Sequence, residues 1–294
     1  MRTAEPDELA AALAEVRLLA VDLDGTALDS AGELRPRTLS AWHAAESRGV
    51  LIATLTGRPV AEALTLTAAL GLHGPLAASN GAAIVDRVHL NRVERVGIEH
   101  SAAQAAIARL RAREPQVRLG VVHDDVSGLD PGFPGDLAVR WGWSPDGADD
   151  PVAAALERVD AGPVQKLVAW HPDGAAALDR LLDAAAGTLR VQTSDPRFVE
   201  LGAPDVDKGA ALARIADAYG VPLARCAAIG DMPNDLAMLA RAGTALAVAN
   251  AHPDVRAASD HVVPANDHDG LALVLDALGP ALEPRTVSRH GSLL

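Results

Sequence analysis

Residues 17–30 of the chain read RLLAVDLDGTALDS, and this stretch decides the fold. Leu18 to Val21 is a short, almost unbroken apolar run, which is typical of a strand buried on both faces of a parallel sheet. Asp22 and Asp24 follow two residues apart, so both side chains point to the same side at the carboxyl edge of the strand. Two carboxylates this close repel each other unless a cation or a shared proton lies between them. The stretch therefore predicts a functional site.

The alternative interpretation is a hairpin turn at Asp24-Gly25, because Asp-Gly is a strong turn signal. A hairpin would continue with a second alternating strand. Residues 27–37 are instead polar and include Gly32 and Pro36. We therefore favour the site over the hairpin.

Composition limits the classes of function. A chain of 294 residues is long enough for two domains, and its 49% of hydrophobic residues is enough for a large core. The net charge of -13 argues against nucleic acid as a partner, because binding the phosphate backbone needs clustered Lys and Arg. Small anionic metabolites stay open, since a bound metal and one lysine can reverse the field locally.

Cysteine usage and hydropathy predict the compartment. Cys226 is the single cysteine, which rules out an internal disulfide framework and fits a reducing environment. No signal segment opens the chain, and no apolar stretch approaches membrane-spanning length. We predict a cytoplasmic protein without a membrane partner. The sequence is compatible with a monomer and with a homo-oligomer.

The stretches after residue 30 alternate between helix and strand signals. Helices are predicted to begin at Pro36 and at Pro59, and strands are predicted over 50–55 and 76–79. The order strand, helix, strand, helix, strand predicts a parallel sheet with right-handed crossovers.

Ligands of such sheets bind beyond the carboxyl ends of the strands. Asp22, Thr56 and Asn80 each follow a predicted strand directly. These three side chains are therefore expected at one edge of the sheet.

Residues 84–192 break this rhythm and predict an inserted α+β domain. The core domain is then formed by 1–83 and 193–279, and 280–294 is predicted to be a flexible tail. The elements expected beyond residue 80 are a hairpin over 82–93, helices over 99–113, 151–159, 174–186, 207–219, 252–258 and 268–278, and strands over 118–123, 164–170, 189–194, 226–229, 245–249 and 261–264. Lys166 stands in the middle of a predicted strand, and we assign it no catalytic role.

Four segments together resemble the ordered motifs of the haloacid dehalogenase (HAD) superfamily of phosphatases. They are DLDGT at 22–26, TGR at 56–58, Lys208-Gly209 ahead of a helix, and GDMPND at 230–235. The insertion lies between the second and third motifs and directly follows SNGA at 79–82, an arrangement that resembles the Cof-type branch. The resemblance implies an α/β fold, with a Rossmann-like parallel-sheet core and an inserted cap, and hydrolysis of sugar phosphates and related phosphometabolites.

The resemblance also implies roles for the acidic residues. Asp22 would be the nucleophile that forms an acyl-phosphate, and Asp24 would act as general acid and then as general base. Mg2+ would be held by the carboxylate of Asp22, the backbone carbonyl of Asp24 and the carboxylate of Asp231. Asp235 would bind the metal directly or hold a metal-bound water.

The remaining motif residues are implied to bind phosphate. Thr56 and the backbone N–H of Gly57 would bind the oxygens of the transferring phosphoryl group at a helix N-terminus. Lys208 would pair with both Asp22 and the phosphate, and Asn234 would donate its side-chain amide to the phosphate.

The leading hypothesis is thus a Mg2+-dependent phosphatase of small phosphorylated metabolites. One alternative is a phosphomutase or other phosphotransferase, but enzymes of that kind typically place a different cap between the first two motifs, and only about thirty residues separate Asp24 from Thr56 here. The other is a non-catalytic regulator that binds sugar phosphates, against which the intact acidic residues and Lys208 weigh.

Residues 124–150 form an unusual segment of the predicted insertion, because they hold Arg140, Trp141 and Trp143 in a chain with few aromatic residues. One interpretation is that the two rings pack the core of the cap. The other is that a ring or Arg140 faces the cleft and selects the substrate.

Overall fold

A computed structural model describes residues 3–88, 92–123, 126–135, 151–158, 163–187, 189–192 and 197–279. The chain divides into two units, each assembled from segments that are distant in sequence. The first unit is Met1–Thr54, Leu212–Asp231 and Met238–Leu294, and the second is Leu55–Ala211 and Met232–Ala237.

Within the described residues, strands and helices alternate along much of the chain. The strands are β1 (Leu18–Val21), β2 (Leu51–Leu55), β3 (Leu76–Ala78), β4 (Ala83–Asp86), β5 (Arg92–Arg95), β6 (Arg118–His123), β7 (Val126–Leu129), β8 (Lys166–Trp170), β9 (Arg190–Gln192), β10 (Phe198–Gly202), β11 (Cys226–Gly230), β12 (Thr244–Val248) and β13 (His261–Val263). The α-helices are α1 (Pro6–Leu13), α2 (Pro36–Ser47), α3 (Val60–Ala69), α4 (His100–Arg113), α5 (Pro151–Arg158), α6 (Leu178–Ala185), α7 (Lys208–Ala218), α8 (Leu236–Leu239), α9 (Pro253–Ala257) and α10 (Gly270–Ala277).

A parallel sheet forms the centre of the first unit. Its strands lie in the order β2-β1-β11-β12-β13, and each neighbouring pair is parallel. All four residues of β1 are fully buried, which explains why its sequence is apolar without alternation. Val21 lies opposite Ile229 of β11 and Thr54 of β2. Asp22 therefore leaves the sheet at its carboxyl edge, as predicted.

Cys226 is the first residue of β11, in the strand predicted over 226–229, and it is buried. Burial raises the pKa of its thiol to about 11, because the charged thiolate loses its hydration there.

Proline and glycine set the limits of the helices near the site. Pro36 occupies the first turn of α2, and Gly49 follows its end with a φ of 84°. Pro59 caps α3 directly after the Thr-Gly-Arg segment. The predicted helix starts at both prolines are confirmed to within one residue.

The second unit contains antiparallel strands. β4 pairs with β3 and with β5, and a five-stranded sheet has the order β7-β6-β8-β10-β9. Alternate residues of β8 enter different apolar clusters. Leu167 and Ala169 pack on the side of α4, α5 and α6, whereas Val168 packs with Phe198 on the opposite face.

Two of these strands differ from the sequence-based expectation. β7 and β10 each lie where no strand is predicted. β10 pairs antiparallel with β8 and β9. The limits of the inserted domain stay a prediction, and the tail predicted over 280–294 lies outside the described residues.

None of the helices in the described parts of the chain is long and apolar enough to span a membrane.

Candidate active site

The turn after β1 presents the first two acidic residues. Asp22 is 5% exposed, and its backbone N–H donates to the carbonyl oxygen of Ile229 at 3.1 Å. Asp24 is half-buried and forms an isolated bridge with Leu28. The backbone reverses at Gly25, whose φ of 80° favours glycine. The strand and the turn therefore fix where Asp22 leaves the sheet.

A second reason for glycine at position 25 is the close approach of Asp231. A Cβ atom on Gly25 would lie 2.3 Å from Oδ2 of Asp231, which is far inside van der Waals contact. The hydroxyl of Thr26 donates to Oδ1 of the same carboxylate at 3.0 Å. The side-chain amide of Asn250 donates to the carbonyl oxygen of Gly25 at 2.7 Å. The turn and Asp231 thus hold each other in one arrangement.

Lys208 forms a buried ion pair with Asp235. Its ammonium donates to Oδ1 of Asp235 at 2.6 Å, and the side chains of the two residues are 1% and 0% exposed. Oδ2 of Asp235 accepts the backbone N–H of Met232 at 3.0 Å. The Asp235 carboxylate is therefore fixed by a charge-assisted bond on one oxygen and a backbone bond on the other.

Three of the predicted metal ligands come together. Asp22, Asp231 and Asp235 each offer a carboxylate oxygen, and these oxygens lie within 4.8 Å of one another. All three residues are buried. Three carboxylates and the single ammonium of Lys208 leave a net negative charge, which is costly in a buried place.

This donor set fits a divalent cation. Carboxylate oxygens are hard ligands of the kind that Mg2+ and Ca2+ prefer, and the cation would offset the repulsion among the three acids. Asp22, Asp231 and Asp235 would hold it. The backbone carbonyl of Asp24 stays a predicted ligand.

The Thr-Gly-Arg segment forms a tight turn into α3. Thr56 is fully buried, and its hydroxyl oxygen accepts the backbone N–H of Arg58 at 3.1 Å. The guanidinium of Arg58 binds the carboxylate of Glu62 one turn later at 2.6 Å. A helix N-terminus with oriented N–H groups favours an anion, and the phosphate-binding role of Thr56 and Gly57 stays a prediction.

Asn234 is held by a chain of side-chain hydrogen bonds. Its amide nitrogen donates to the side-chain oxygen of Asn80 at 3.0 Å, and Asn80 in turn donates to the carboxylate of Glu200 at 3.1 Å. The sequence predicts Asn80 at the sheet edge but gives no role to Glu200. Glu200 also forms an ion pair with Lys166.

The structure brings Asp22, Asp231 and Asp235 together and places Thr56 in the turn before α3. The chemical roles of all the predicted site residues stay predictions. The sequence-based interpretation misses Lys166 and Glu200, and it gives Asn250 no bonding partner. The only available signal for the first two is a charge inside an otherwise apolar strand. The three residues of the predicted insertion that were considered for substrate selection lie outside the described residues: Arg140, Trp141 and Trp143.

Comparisons with known proteins agree with the motif pattern. A model of the haloacid dehalogenase-like hydrolases matches residues 19–275. Phosphoglycolate phosphatase of Methanothermobacter thermautotrophicus is 28% identical over 258 residues, which cover 87% of this chain and 96% of that protein. HMP-PP phosphatase of Cronobacter sakazakii is 29% identical over 261 residues, which cover 84% of this chain and 89% of that protein.

Solved structures share the fold. The HAD subclass IIB sugar phosphatase BT4131 superposes with a TM-score of 0.73 at 21% identity, covering 87% of this chain and 96% of that one. The predictions of an α/β fold class and of a phosphomonoester hydrolase are confirmed. The match to the family model spans far more than half of the sequence, and the chain belongs to the haloacid dehalogenase-like hydrolases.

Proposed function

We propose that the chain is a Mg2+-dependent phosphatase that hydrolyses small phosphorylated metabolites, sugar phosphates in particular, through an aspartyl-phosphate on Asp22. The observation that carries this proposal is the cluster of Asp22, Asp231 and Asp235 together with the Lys208–Asp235 ion pair. A cluster of buried acids with one lysine suits a substrate that is itself an anion only when a cation is also present.

The first half of the reaction transfers the phosphoryl group to the enzyme. A carboxylate oxygen of Asp22 attacks phosphorus, and the bond between phosphorus and the ester oxygen breaks. Asp24, protonated at this stage, gives its proton to the departing alkoxide, which leaves as an alcohol. Thr56 and the Gly57 N–H bind the equatorial oxygens, and Lys208 offsets their charge.

The second half regenerates the enzyme. Asp24 now removes a proton from a water molecule, whose oxygen attacks phosphorus. The bond between phosphorus and the Asp22 oxygen breaks, which releases inorganic phosphate. Asp22, Asp231 and Asp235 would hold Mg2+, whose positive charge would reduce the repulsion between the anionic nucleophile and the anionic phosphate.

Removal of divalent metal is expected to abolish hydrolysis. After dialysis against a chelator, the release of p-nitrophenol from p-nitrophenyl phosphate should fall below about 1% of the starting rate, and added Mg2+ should restore it. Ca2+ should restore it poorly, because its looser coordination misplaces the nucleophile. Full activity after exhaustive chelation would contradict the metal proposal.

A calorimetric titration locates the metal independently of turnover. Asp231→Asn should weaken Mg2+ binding by at least about tenfold, because it removes one anionic ligand. Asp217→Asn is the matched control, since Asp217 is exposed on α7 and should leave the affinity unchanged. Equal affinities for the two variants would place the metal elsewhere.

A panel of phosphorylated metabolites, assayed for phosphate release with Mg2+, tests the function itself. A phosphatase releases phosphate from some members of the panel. A phosphotransferase moves it to a second substrate, which a product profile with a sugar bisphosphate reveals. A regulator binds a sugar phosphate but releases no inorganic phosphate from it. Binding detected by calorimetry without any phosphate release would therefore overturn the proposal.

The setting of the enzyme is part of the same proposal. We infer a cytoplasmic enzyme that acts on small metabolites and not on nucleic acid, which the net charge of -13 supports. The segment 84–192 is proposed to select the substrate, while the strand ends carry the chemistry.

A further inference from the structure

Lys166 lies in β8, far along the chain from every motif residue, yet its ammonium reaches the phosphate-binding turn. It donates to the carbonyl oxygen of Gly57 at 2.6 Å and forms a short ion pair with Glu200. Lys166 is 2% exposed and Glu200 is 1% exposed. A buried lysine that touches a backbone carbonyl of this turn is a feature that packing alone does not require.

The turn itself is held at each of its three carbonyl groups. The carbonyl oxygen of Thr56 accepts the backbone N–H of Asn80 at 2.9 Å, and that of Arg58 accepts the backbone N–H of Ser79 at 2.8 Å. Ser79 and Asn80 adopt φ values of 49° and 58°, a conformation that non-glycine residues rarely adopt. The carbonyl of Gly57, between these two, is held by a side chain, that of Lys166.

Fixing these carbonyls fixes the N–H groups on the opposite side of the turn. A peptide unit is planar and trans, so the C=O of one residue and the N–H of the next point in opposite directions. The bond to the Thr56 carbonyl therefore aims the Gly57 N–H. The bond from Lys166 to the Gly57 carbonyl aims the Arg58 N–H, which donates to the hydroxyl oxygen of Thr56.

We propose that Lys166 is a positioning residue for phosphate binding, which acts through the Gly57 carbonyl and the Arg58 N–H to orient the Thr56 hydroxyl. With one lone pair of its oxygen occupied by the Arg58 N–H, the Thr56 hydroxyl proton is directed away from the turn, where it donates to a phosphoryl oxygen. The inference rests on the phosphate-binding role of Thr56 and Gly57 in the proposed function. Lys166 itself need not touch the substrate.

Glu200 links Lys166 to Asn234, the other side chain proposed to bind phosphate. One carboxylate oxygen holds Lys166, and the other accepts the side-chain amide of Asn80 at 3.1 Å. Asn80 then accepts the amide of Asn234 at 3.0 Å. A single carboxylate on β10 thereby orients both the Thr56 turn and Asn234.

The energetic cost of this arrangement supports a functional role. A buried ion pair contributes little net stability, because desolvation of the two charges offsets most of their attraction. Two apolar residues would fill the same space on this face, where Val168 and Phe198 already pack. An apolar pair would leave the Gly57 carbonyl without the Lys166 donor.

The test uses Lys166→Met and the double variant Lys166→Met/Glu200→Gln. The single variant should lower kcat/KM for p-nitrophenyl phosphate by about 10- to 100-fold, because a small misplacement of a binding group has effects of this size. It should also lower the unfolding temperature, because Glu200 stays buried without its cation. The double variant removes that charge but keeps an oxygen acceptor for Asn80. It should regain unfolding temperature and yet keep the low kcat/KM.

Recovery of kcat/KM together with stability in the double variant would overturn the proposal, since Lys166 would then be structural only. Arg111→Met is the matched control, because it removes the cation of an ion pair with Asp130 (2.9 Å) elsewhere in the second unit. Its kcat/KM should stay within about twofold of the wild-type value.

Binding of inorganic phosphate, measured by calorimetry with Mg2+, separates this inference from the proposed function. About tenfold weaker binding of phosphate by both Lys166 variants supports the positioning role. This holds even if the wild-type protein releases phosphate from no member of the panel, because that second result overturns only the proposed phosphatase activity. Unchanged phosphate affinity in the variants of an active enzyme would overturn the positioning role alone. If Lys166→Met does not fold, kcat/KM and phosphate affinity are measured on the double variant alone.

Discussion

Asp22→Asn is expected to abolish phosphatase turnover while the protein stays folded. The amide is nearly isosteric with the carboxylate but is not a nucleophile, so kcat should fall by at least about a thousandfold. The backbone bond from Asp22 to Ile229 does not involve the side chain and should persist. Steady-state hydrolysis of p-nitrophenyl phosphate with Mg2+ measures the effect.

The stability of this variant is a second, less obvious readout. Asp22 is one of three buried carboxylates within 4.8 Å of one another, so its neutralisation removes like-charge repulsion when no metal is bound. The unfolding temperature without metal should therefore be no lower than that of the wild-type protein. Asp217→Asn, on the exposed side of α7, is the control for a neutralised surface acid. Activity above about a thousandth of wild type would move the nucleophile to another residue.

Lys208→Met should cause the second large loss, in both activity and stability. Removal of one partner from a buried ion pair leaves an uncompensated charge and costs about 3–5 kcal/mol, here on Asp235 at 0% exposure. Loss of the ammonium also removes charge stabilisation from the transition state, which is worth about 100- to 1000-fold in kcat. Urea unfolding and steady-state kinetics measure the two effects separately.

The other lysine of the chain provides the comparison for this prediction. Lys166 is equally buried and paired, but it acts on the turn rather than on the reacting groups. Lys208→Met should therefore reduce kcat more than Lys166→Met does. Addition of Mg2+ should stabilise Lys208→Met by more than it stabilises the wild-type protein. In the variant the metal offsets negative charge on the carboxylates that the Lys208 ammonium no longer offsets. A kcat for Lys208→Met close to the wild-type value would remove Lys208 from the catalytic machinery.

The parallel sheet and its site edge could be predicted because their signals are local. The apolar run of β1 and the proline before each of two helices are features of adjacent residues, and they fix the direction of each strand. Since parallel strands end at one edge, Asp22 follows β1 there without any knowledge of tertiary contacts. The order of the motifs then supplied the family.

The strand β10 and its partner lysine could not be predicted because their signal is not local. Glu200 interrupts an apolar run, and a charge at that place normally indicates a solvent-exposed face. Its burial depends on Lys166, which is 34 positions away, and on Asn80, which is 120 positions away. Neither pairing is visible in a single sequence, so both charges had the pattern of surface residues.

The hydrogen bonds that hold the motif segments together could not be predicted either, because they join residues that are distant in sequence. Thr26 and Asn250 fix the Gly25 turn and Asp231 through single hydrogen bonds that span more than 200 positions. Only Gly25 had a local signal, since Asp-Gly predicts a positive φ. The close approach of Asp231 to that glycine appears only when the two segments are folded together.

The rate at which the buried thiol of Cys226 is alkylated can be used to measure local opening of the protein. The thiolate is the form that attacks an alkylating reagent, and a pKa of about 11 keeps that form to roughly one part in ten thousand at pH 7. Because Cys226 is fully buried at the start of β11, a reagent reaches it only when the packing over this part of the sheet opens. Labelling rates therefore report how often the core around β11 opens, and the chain has no second cysteine that would add to the signal.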